Sequence, residues 1–275
     1  MPRPATFRRY DSYRYFEYSV KRTNRSAMDK EQGQFVKAVR DSCKSRKSTL
    51  PKDTQLYRAQ AGTKAQPSYL ANPCEEPELD HFPYDKDRMK PTPEHAKDGR
   101  ANSRGIPALY LSDDAATALA EMRPWVGSHL TLAPFRLTRD VSVVDCTKRS
   151  LRGYFDALEH NANGIGRMPK EVKEGSVWSM INQAFSKPVA TSDTSSEYVP
   201  TQVLADLFRA IGVDGIVYRS SIGSGNNLAL FDLSSADCGE PYIHVVQAVS
   251  YQFLSIVEVF GGQSYETLES HSVSL

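Results

Sequence analysis

The chain has 275 residues, and 34 Lys and Arg against 33 Asp and Glu give it a net charge of +1. This near-neutral charge argues against binding DNA or an anionic membrane over a whole surface, since both need a strongly basic face. The length suits one large domain or two small ones, no apolar run approaches the ~20 residues of a membrane span, and the first residues lack the apolar stretch of a signal peptide.

Residues 1–28 are basic and aromatic. Rings between cations can stack on single-stranded nucleic acid, but one short patch on a neutral protein gives little affinity. We therefore favour a segment whose aromatic side packs on the main domain, and we do not expect nucleic acid as a partner. Next, Asp29 and Gln32 form a capping-box pattern, and apolar residues at helical spacing predict a helix over 29–44.

A first strand is predicted at 55–58, and a long loop follows over 66–98, where no hydrophobic periodicity survives. Loops of this length are usually functional or partly disordered. Its His and acidic residues match no metal-binding spacing, so we predict no metal site. The residues considered for that site are Asp80, His81, Asp85 and His95.

The apolar patterns of the remaining chain predict further elements. They are strands at 106–112, 129–137, 141–145, 215–218, 228–231, 243–249 and 253–260, and helices at 113–123, 151–160, 176–186 and 200–211. Ser112 or Asp113 is the expected N-cap of the alanine-rich helix, and Pro124 its stop. Pro134 suggests an edge strand or a bulge. Residues 261–275 are polar, and we expect a disordered tail.

The cysteines stand far apart and form no C-x-x-C pair, so neither a zinc ribbon nor a redox motif is indicated. They are Cys43, Cys74, Cys146 and Cys238. Scattered cysteines in a chain of this size are typical of a reduced, cytoplasmic protein.

A few polar positions interrupt the apolar segments and are candidates for a site. Arg58 stands inside a strand, where its charge needs either a carboxylate partner or a phosphate gripped by two hydrogen bonds. Glu121 ends the alanine-rich helix, either as a surface residue or as an acid or base tuned by the helix end. The Ser/Gly/Asn-rich residues 220–227 form either a hairpin turn or a phosphate cradle, and Arg100 is either salt-bridged or ready for a ligand.

The residues alone indicate an α/β protein with an Arg/Glu/Ser pocket suited to a phosphate-bearing ligand. No P-loop, no dinucleotide-binding G-x-G-x-x-G and no Ser-His-Asp order occurs in the sequence.

Six segments, taken in order, resemble the RES domain family, which is named for its Arg, Glu and Ser and occurs as the toxin of bacterial toxin–antitoxin pairs. They are residues 56–59, 99–112, 116–121, 198–202, 215–220 and 226–231. The block from Gly99 to Glu121 is the most specific. The resemblance spans about 55–235, which is most of the chain.

The resemblance implies an ADP-ribosyltransferase-like α/β (α+β) fold, in which a mixed β-sheet core has flanking helices. It divides the chain into a basic and aromatic extension with one helix at 1–50, a RES catalytic domain at 51–260 and the tail at 261–275. NAD is then the substrate, and no prosthetic group is expected.

The family's site residues carry over onto matching positions of this sequence. The implied catalytic residues are Glu121, Arg58 and Ser220, and the implied NAD-binding residues are Arg58, Arg100, Tyr110, Tyr57, Ser220 and Asn227. Ser220 is preferred to Ser221 by position only, and Arg219 stands where the family commonly has proline.

The implied reaction cleaves the nicotinamide–ribose bond of NAD, by phosphorolysis with inorganic phosphate or by hydrolysis. Glu121 stabilises the oxocarbenium ion, Arg58 holds the pyrophosphate, and Tyr110 stacks on nicotinamide or hydrogen-bonds the ribose. Ser220 orients either Glu121 or the ribose. The alternatives are ADP-ribosylation of a protein target and a nucleotide-binding module without catalysis. A separate antitoxin protein is the expected partner.

Overall fold

The structure, a computed structural model, describes residues 4–25, 27–68, 79–148, 153–164, 166–187, 195–255 and 268–274. Its α-helices are α1 (Ser12–Arg22), α2 (Lys30–Ser42), α3 (Ala115–Ala120), α4 (Gly153–Ala162), α5 (Lys170–Ser186) and α6 (Val199–Ala210). Its strands are β1 (Lys47–Leu50), β2 (Gln55–Ala61), β3 (Lys64–Pro67), β4 (Leu79–Phe82), β5 (Leu109–Ser112), β6 (His129–Leu137), β7 (Val141–Asp145), β8 (Gly215–Arg219), β9 (Asn226–Leu230), β10 (Ala236–Cys238), β11 (Tyr242–Val245), β12 (Ser250–Ser255) and β13 (Leu268–Ser274).

Nine of the strands form one mixed sheet, in the order β1-β7-β8-β9-β5-β2-β6-β10, with β11 also on β6. Only β7 and β8 run parallel, and the other neighbours are antiparallel. One buried core contains Trp178 of α5, Phe208 of α6 and Ile216 of β8, so helices cover a face of the sheet. The expected mixed sheet with flanking helices is confirmed.

The sheet separates between β2 and β5. These strands share one residue pair, Tyr57 with Ser112, whereas β2 pairs with β6 over the seven residues of Gln55–Ala61. Next to that pair, Nη1 of Arg58 donates to the carbonyl oxygen of Tyr110 at 3.0 Å. The Arg58 side chain therefore bridges the gap between β2 and β5 next to their one paired position.

The N-terminal segment packs on the main domain, as its aromatic pattern predicts. Phe7, Tyr13 and Phe16 are buried in the core, and the rings of Phe16 and Phe35 stack with centroids 4.5 Å apart. The segment differs from the expected extension in two ways. It contains two helices rather than one, because Tyr13, Phe16 and Val20 give α1 a buried face, and its β1 pairs with β7 at the edge of the main sheet.

The capping box of α2 is present, with the Asp29 carboxylate accepting from the N–H of Gln32 and the Gln32 side chain accepting from the N–H of Asp29. The long segment 66–98 is not a plain loop. β3 and β4 form an exposed hairpin, because main-chain pairing can occur without a buried apolar face. Residues 69–78, with Cys74, lie outside the described residues.

The alanine-rich helix is shorter than predicted and has a different cap. Its N-cap is Asp114, whose carboxylate accepts from the N–H of Thr117, instead of Ser112 or Asp113. Glu121 is its C-cap, so the helix ends before Pro124. Asp113 is unsuited as a cap because its carboxylate receives the main-chain and side-chain N–H groups of Asn226.

Pro134 does not mark an edge strand, because β6 is paired on both sides. Its neighbours on the outer side are β10, opposite residues 135–137, and β11, opposite residues 129–132. The break between these two strands falls at Pro134, which has no N–H to donate. The proline is thus accommodated by interrupting the partner strand.

Two further segments differ from the sequence predictions. α5 begins at Lys170 instead of 176, and Pro169 is its N-cap. Residues 268–274 of the expected tail form β13, since β12 supplies main-chain partners for them. Residues 256–267 and 275 lie outside the described part of the chain. Across the described helices, none combines the length and hydropathy needed to cross a membrane.

Candidate functional site

A cavity of about 320 Å³ opens where β2 and β5 separate. Its lining comes from β2 (Tyr57, Arg58, Ala59), β5 (Tyr110, Leu111, Ser112), α3 and its end (Ala118, Glu121, Met122), β8 and β9 (Tyr218, Asn227), and loop and 3₁₀ residues (Gly99, Arg100, Tyr198). The structure thus brings together six of the seven predicted site residues in one cavity wall. The seventh, Ser220, reaches it through Glu121.

Glu121 presents a half-buried carboxylate to this cavity. Its Oε1 accepts from Oγ of Ser220 at 2.7 Å and from Nδ2 of Asn227 at 2.6 Å. Ser112 in turn donates to Oδ1 of Asn227 at 2.7 Å. Within the described part of the chain, the bonds from Ser220 and Asn227 both end on Oε1, and Oε2 accepts no hydrogen bond. The surface interpretation of Glu121 is therefore wrong.

Ser220 owes its position to the tight connection between β8 and β9. Its Oγ accepts from the N–H groups of Ile222 and Gly223, at 3.2 and 2.9 Å. A Cβ at Gly223 would come 2.8 Å from Cα of Thr117, so only glycine fits against α3. Ser221 is exposed and lines a different cavity, which leaves Ser220 as the serine at Glu121.

The same connection behaves as a turn and not as a phosphate cradle. The N–H of Gly225 donates to Oγ1 of Thr117 at 3.0 Å, and those of Ile222 and Gly223 are bonded to Ser220. These donors are therefore used within the protein, where they fasten the β8–β9 connection to α3.

Arg58 is a partly buried cation that has no acidic partner among the described residues. Its Nη1 donates to the Tyr110 carbonyl, and its Nε is buried without a hydrogen bond among the described residues. Burial lowers the pKa of its guanidinium from the ordinary value. No Asp or Glu of the described chain forms a salt bridge with it, so the alternative of a carboxylate partner is wrong. Its charge is left to be met by a ligand anion.

Arg100 is held at the end of α5, where its Nη1 donates to the carbonyl oxygen of Phe185 at 2.6 Å. No salt bridge to it occurs within the described residues. The preceding Gly99 is closely packed, because a Cβ there would lie 2.5 Å from Oδ1 of Asn102 and 2.5 Å from the hydroxyl of Tyr110. Gln202 of α6 fastens this loop by donating to the carbonyl oxygens of Gly99 and Asn102.

Tyr110 contributes its ring to the cavity, while its hydroxyl is engaged elsewhere. The hydroxyl donates to Oδ1 of Asn102 at 2.7 Å and accepts from the N–H of Ala101 at 2.9 Å. Burial raises its pKa to about 12. Of the two predicted roles, stacking by the ring is therefore compatible with the structure as it stands, whereas bonding to a ribose requires these bonds to break. The Tyr57 hydroxyl accepts from Nε2 of Gln55 at 2.6 Å.

Several lining residues were not predicted as site residues: Ser112, Met122, Tyr198 and Tyr218. Ser112 was considered only as a helix cap, and no local pattern shows that it donates to Asn227, 115 positions away. Tyr198 and Tyr218 do lie in segments that carry the family resemblance. Tyr198 and Tyr218 could therefore have been predicted as site residues from their place in those segments.

A family model described as the RES domain matches residues 77–253. That range contains Glu121 and Ser220, whereas Arg58 precedes it. Among solved structures, the chain is similar to a chain of the M. tuberculosis MbcT-MbcA toxin–antitoxin complex, with 13% identity, a TM-score of 0.39, and coverage of 75% of this chain and 92% of that chain. No curated protein matches the chain.

Proposed function

The chain belongs to the RES domain family, and from this premise we propose that it is an enzyme that consumes NAD by cleaving the bond between nicotinamide and ribose. The acceptor is inorganic phosphate or water. This is the activity that the family resemblance implies.

One observation carries the proposal: the cavity holds an oriented carboxylate and an uncompensated cation together. Glu121 receives two hydrogen bonds on one oxygen, and Arg58 lies in the same wall with no acidic partner in the described part of the chain. NAD has the matching pair of groups, since its pyrophosphate is anionic and its nicotinamide ribose becomes cationic during cleavage. A neutral or purely cationic ligand would leave Arg58 unpaired.

In the reaction, the bond between C1′ of the ribose and the pyridinium nitrogen breaks, and its electron pair goes to nicotinamide. C1′ gains oxocarbenium character, which the Glu121 carboxylate stabilises electrostatically. An oxygen of phosphate or water then forms the new bond to C1′. A water nucleophile passes its proton to the solvent, whereas an ionised phosphate oxygen has no proton to lose. Ser220 and Asn227 are positioning residues, because they act through Glu121.

Arg58 holds the pyrophosphate through the donors that the Tyr110 carbonyl does not use. Arg100 stands as a second cation for the same group, with one nitrogen already fixed on α5. The rings of Tyr110 and Tyr57 supply aromatic surface for nicotinamide. When both ends of the substrate are held rigidly, its reacting atoms are already aligned, and this lowers the barrier to cleavage.

The test is to incubate the purified chain with NAD, with and without phosphate, and to identify the products by mass. Released nicotinamide supports the enzyme, ADP-ribose-1″-phosphate identifies phosphorolysis, and ADP-ribose identifies hydrolysis. ADP-ribose attached to an added protein would favour protein modification instead. Unchanged NAD with tight binding would show a nucleotide-binding module.

The proposal extends to the cell. As in toxin–antitoxin pairs, a separate antitoxin protein inhibits the enzyme. The enzyme acts in the cytoplasm, where its substrate NAD is present. The free, buried thiols of Cys43 and Cys146 suit a reducing compartment. Expression of the chain should arrest growth, and Glu121→Gln should relieve that arrest.

A further inference from the structure

A second cavity, of about 840 Å³, adjoins the first. Arg58 lines both cavities, so the two share one wall residue. The rest of the second lining comes from Gln60 of β2 and from the segment 87–104. Gln60 fastens that segment by donating from Nε2 to the carbonyl oxygen of Arg88 at 2.9 Å. This hydrogen bond therefore holds the segment in place as one wall of the cavity.

The sizes of the cavities decide how a dinucleotide would lie. The first cavity, at about 320 Å³, is near the lower end of the ~300–1,000 Å³ typical of small-molecule sites. A dinucleotide is among the larger ligands of that class. With the pyrophosphate at Arg58 and the nicotinamide ribose at Glu121, the remaining half of the substrate must leave the first cavity past Arg58. The second cavity is the space that receives it.

The second cavity is basic on balance. Its cations are Arg58, Arg88, Lys90, Lys97 and Arg104, against the carboxylates of Asp87, Glu94 and Asp98, with His95 also in the wall. Three of the cations have protein partners, since Arg58 donates to the Tyr110 carbonyl, Lys90 forms a salt bridge with Asp237, and Arg88 lies over the ring of Tyr84 at 4.2 Å. Neither Lys97 nor Arg104 forms a salt bridge within the described residues.

Asp98, the acid next to Lys97 in the sequence, is itself engaged. The Asp98 carboxylate accepts from the main-chain N–H of Arg104 and from Nε2 of Gln202, both at 3.1 Å. Lys97 and Arg104 are exposed and line the cavity, so their charges lie at its rim. An anionic group on the far half of the ligand would meet them there.

We propose that the second cavity binds the adenosine half of the dinucleotide, and that Lys97 and Arg104 bind a phosphate on its ribose, so that NADP is a substrate as well as NAD. This inference rests on the proposed function for its chemistry, but the binding site can be tested without any turnover.

The experiment measures calorimetrically how the purified chain binds two adenosine fragments, AMP and adenosine 2′,5′-bisphosphate. The bisphosphate should bind about tenfold tighter, a factor that corresponds to roughly one charge-assisted contact. The double variant Lys97→Gln/Arg104→Gln should remove that difference and leave AMP binding unchanged. The matched control is Lys37→Gln/Arg40→Gln, which removes one Lys and one Arg from α2, outside both cavities, and should keep the difference.

Equal binding of the two fragments, no binding of either, or an unchanged preference in the Lys97/Arg104 variant would each overturn the inference. Nicotinamide release from NAD is measured in parallel. A chain that cleaves NAD but shows no Lys97- and Arg104-dependent preference contradicts only the second site. A chain that shows the preference but releases no nicotinamide contradicts the proposed function, and with it the turnover of NADP, but keeps the second binding site.

Discussion

Oγ of Ser220 lies 2.7 Å from Oε1 of Glu121, although 99 positions separate the two residues. The contact joins the turn after β8 to the end of α3, and Asn227 of β9 donates to the same carboxylate oxygen. Two donors from different elements therefore set the orientation of the Glu121 carboxylate. Because both bond to Oε1, they also fix the direction of Oε2.

Removal of one donor should slow turnover without weakening substrate binding. We expect Ser220→Ala to lower kcat for NAD about tenfold, the effect of one lost hydrogen bond of ~1 kcal/mol or slightly more, while KM changes little. Ser221→Ala is the matched control, because that exposed residue does not contact Glu121. A rise in KM at constant kcat would instead place Ser220 in substrate binding.

Glu121→Gln tests the carboxylate itself. The amide keeps an oxygen that can accept from Ser220 and Asn227, so the melting temperature should stay the same. The charge that stabilises the oxocarbenium ion is lost, and we expect kcat to fall by ~10²-fold or more. Nicotinamide release provides the measurement, with Glu171→Gln on the exposed first turn of α5 as the control. Turnover at the level of the parent chain would remove Glu121 from the reaction.

Arg58→Met separates binding from stability. The desolvation of a partly buried cation, with no acidic partner among the described residues, offsets what its hydrogen bond to the Tyr110 carbonyl contributes, so an apolar side chain of similar length should replace it with little loss of stability. We expect the melting temperature without ligand to be equal or higher, and the affinity for NAD to fall at least about tenfold. Thermal unfolding and calorimetric titration give the two values. A strongly destabilised variant with normal affinity would show that Arg58 is structural.

Glycine is required at position 99 by close packing. In Gly99→Ala the new Cβ would lie 2.5 Å from polar atoms of Asn102 and Tyr110, and these atoms are bonded to each other. We expect a lower free energy of unfolding and weaker NAD binding as the loop shifts. Gly33→Ala is the contrasting control, since no atom lies within 4 Å of that Cβ. It should stabilise α2 by ~0.5–1 kcal/mol.

The buried hydroxyl of Tyr110 makes stability depend on alkaline pH. Its pKa is raised to about 12, against about 10 in the unfolded chain, so above pH ~10 the unfolded chain binds fewer protons than the folded one. The free energy of unfolding should therefore fall as pH rises from ~10 to ~12. Tyr110→Phe should make that fall shallower in urea titrations.

The same substitution should cost ~1 kcal/mol at pH 8, where the lost bonds to Asn102 and Ala101 are the only change. Tyr18→Phe, which removes a hydroxyl from a residue that is 66% exposed, should leave the slope of the alkaline decline as it is. An identical slope in Tyr110→Phe would contradict the assignment of this titration to Tyr110.

Local sequence patterns predicted the helices and strands that are determined by interactions between residues close in the sequence. β6 and β7 have the predicted bounds, and the capping box of α2 was visible as Asp29 and Gln32 because its bonds span three residues. The cap of α3 was misplaced because Asp113 and Asp114 are equally good caps by type. Only the distant Asn226 decides between them.

The site was predictable as a set of residues but not as a geometry. The family segments supplied Arg58, Glu121 and Ser220, yet neither spacing nor propensity shows that no described acidic residue pairs with Arg58. That depends on which strands become neighbours, a non-local outcome. Ser112 was missed for the same reason, since its bond to Asn227 exists only once β5 lies beside β9.

The single residue pair between β2 and β5 also limits how far this protein can be made thermostable. Adjacent strands gain hydrogen bonds by pairing along their full length, yet full pairing of β2 with β5 would close the gap that Arg58 spans. Substitutions that stabilise the pairing of these strands should therefore raise thermal stability and abolish ligand binding together. Engineering for heat resistance belongs at the periphery, in α2 or the β3–β4 hairpin, where no such conflict exists.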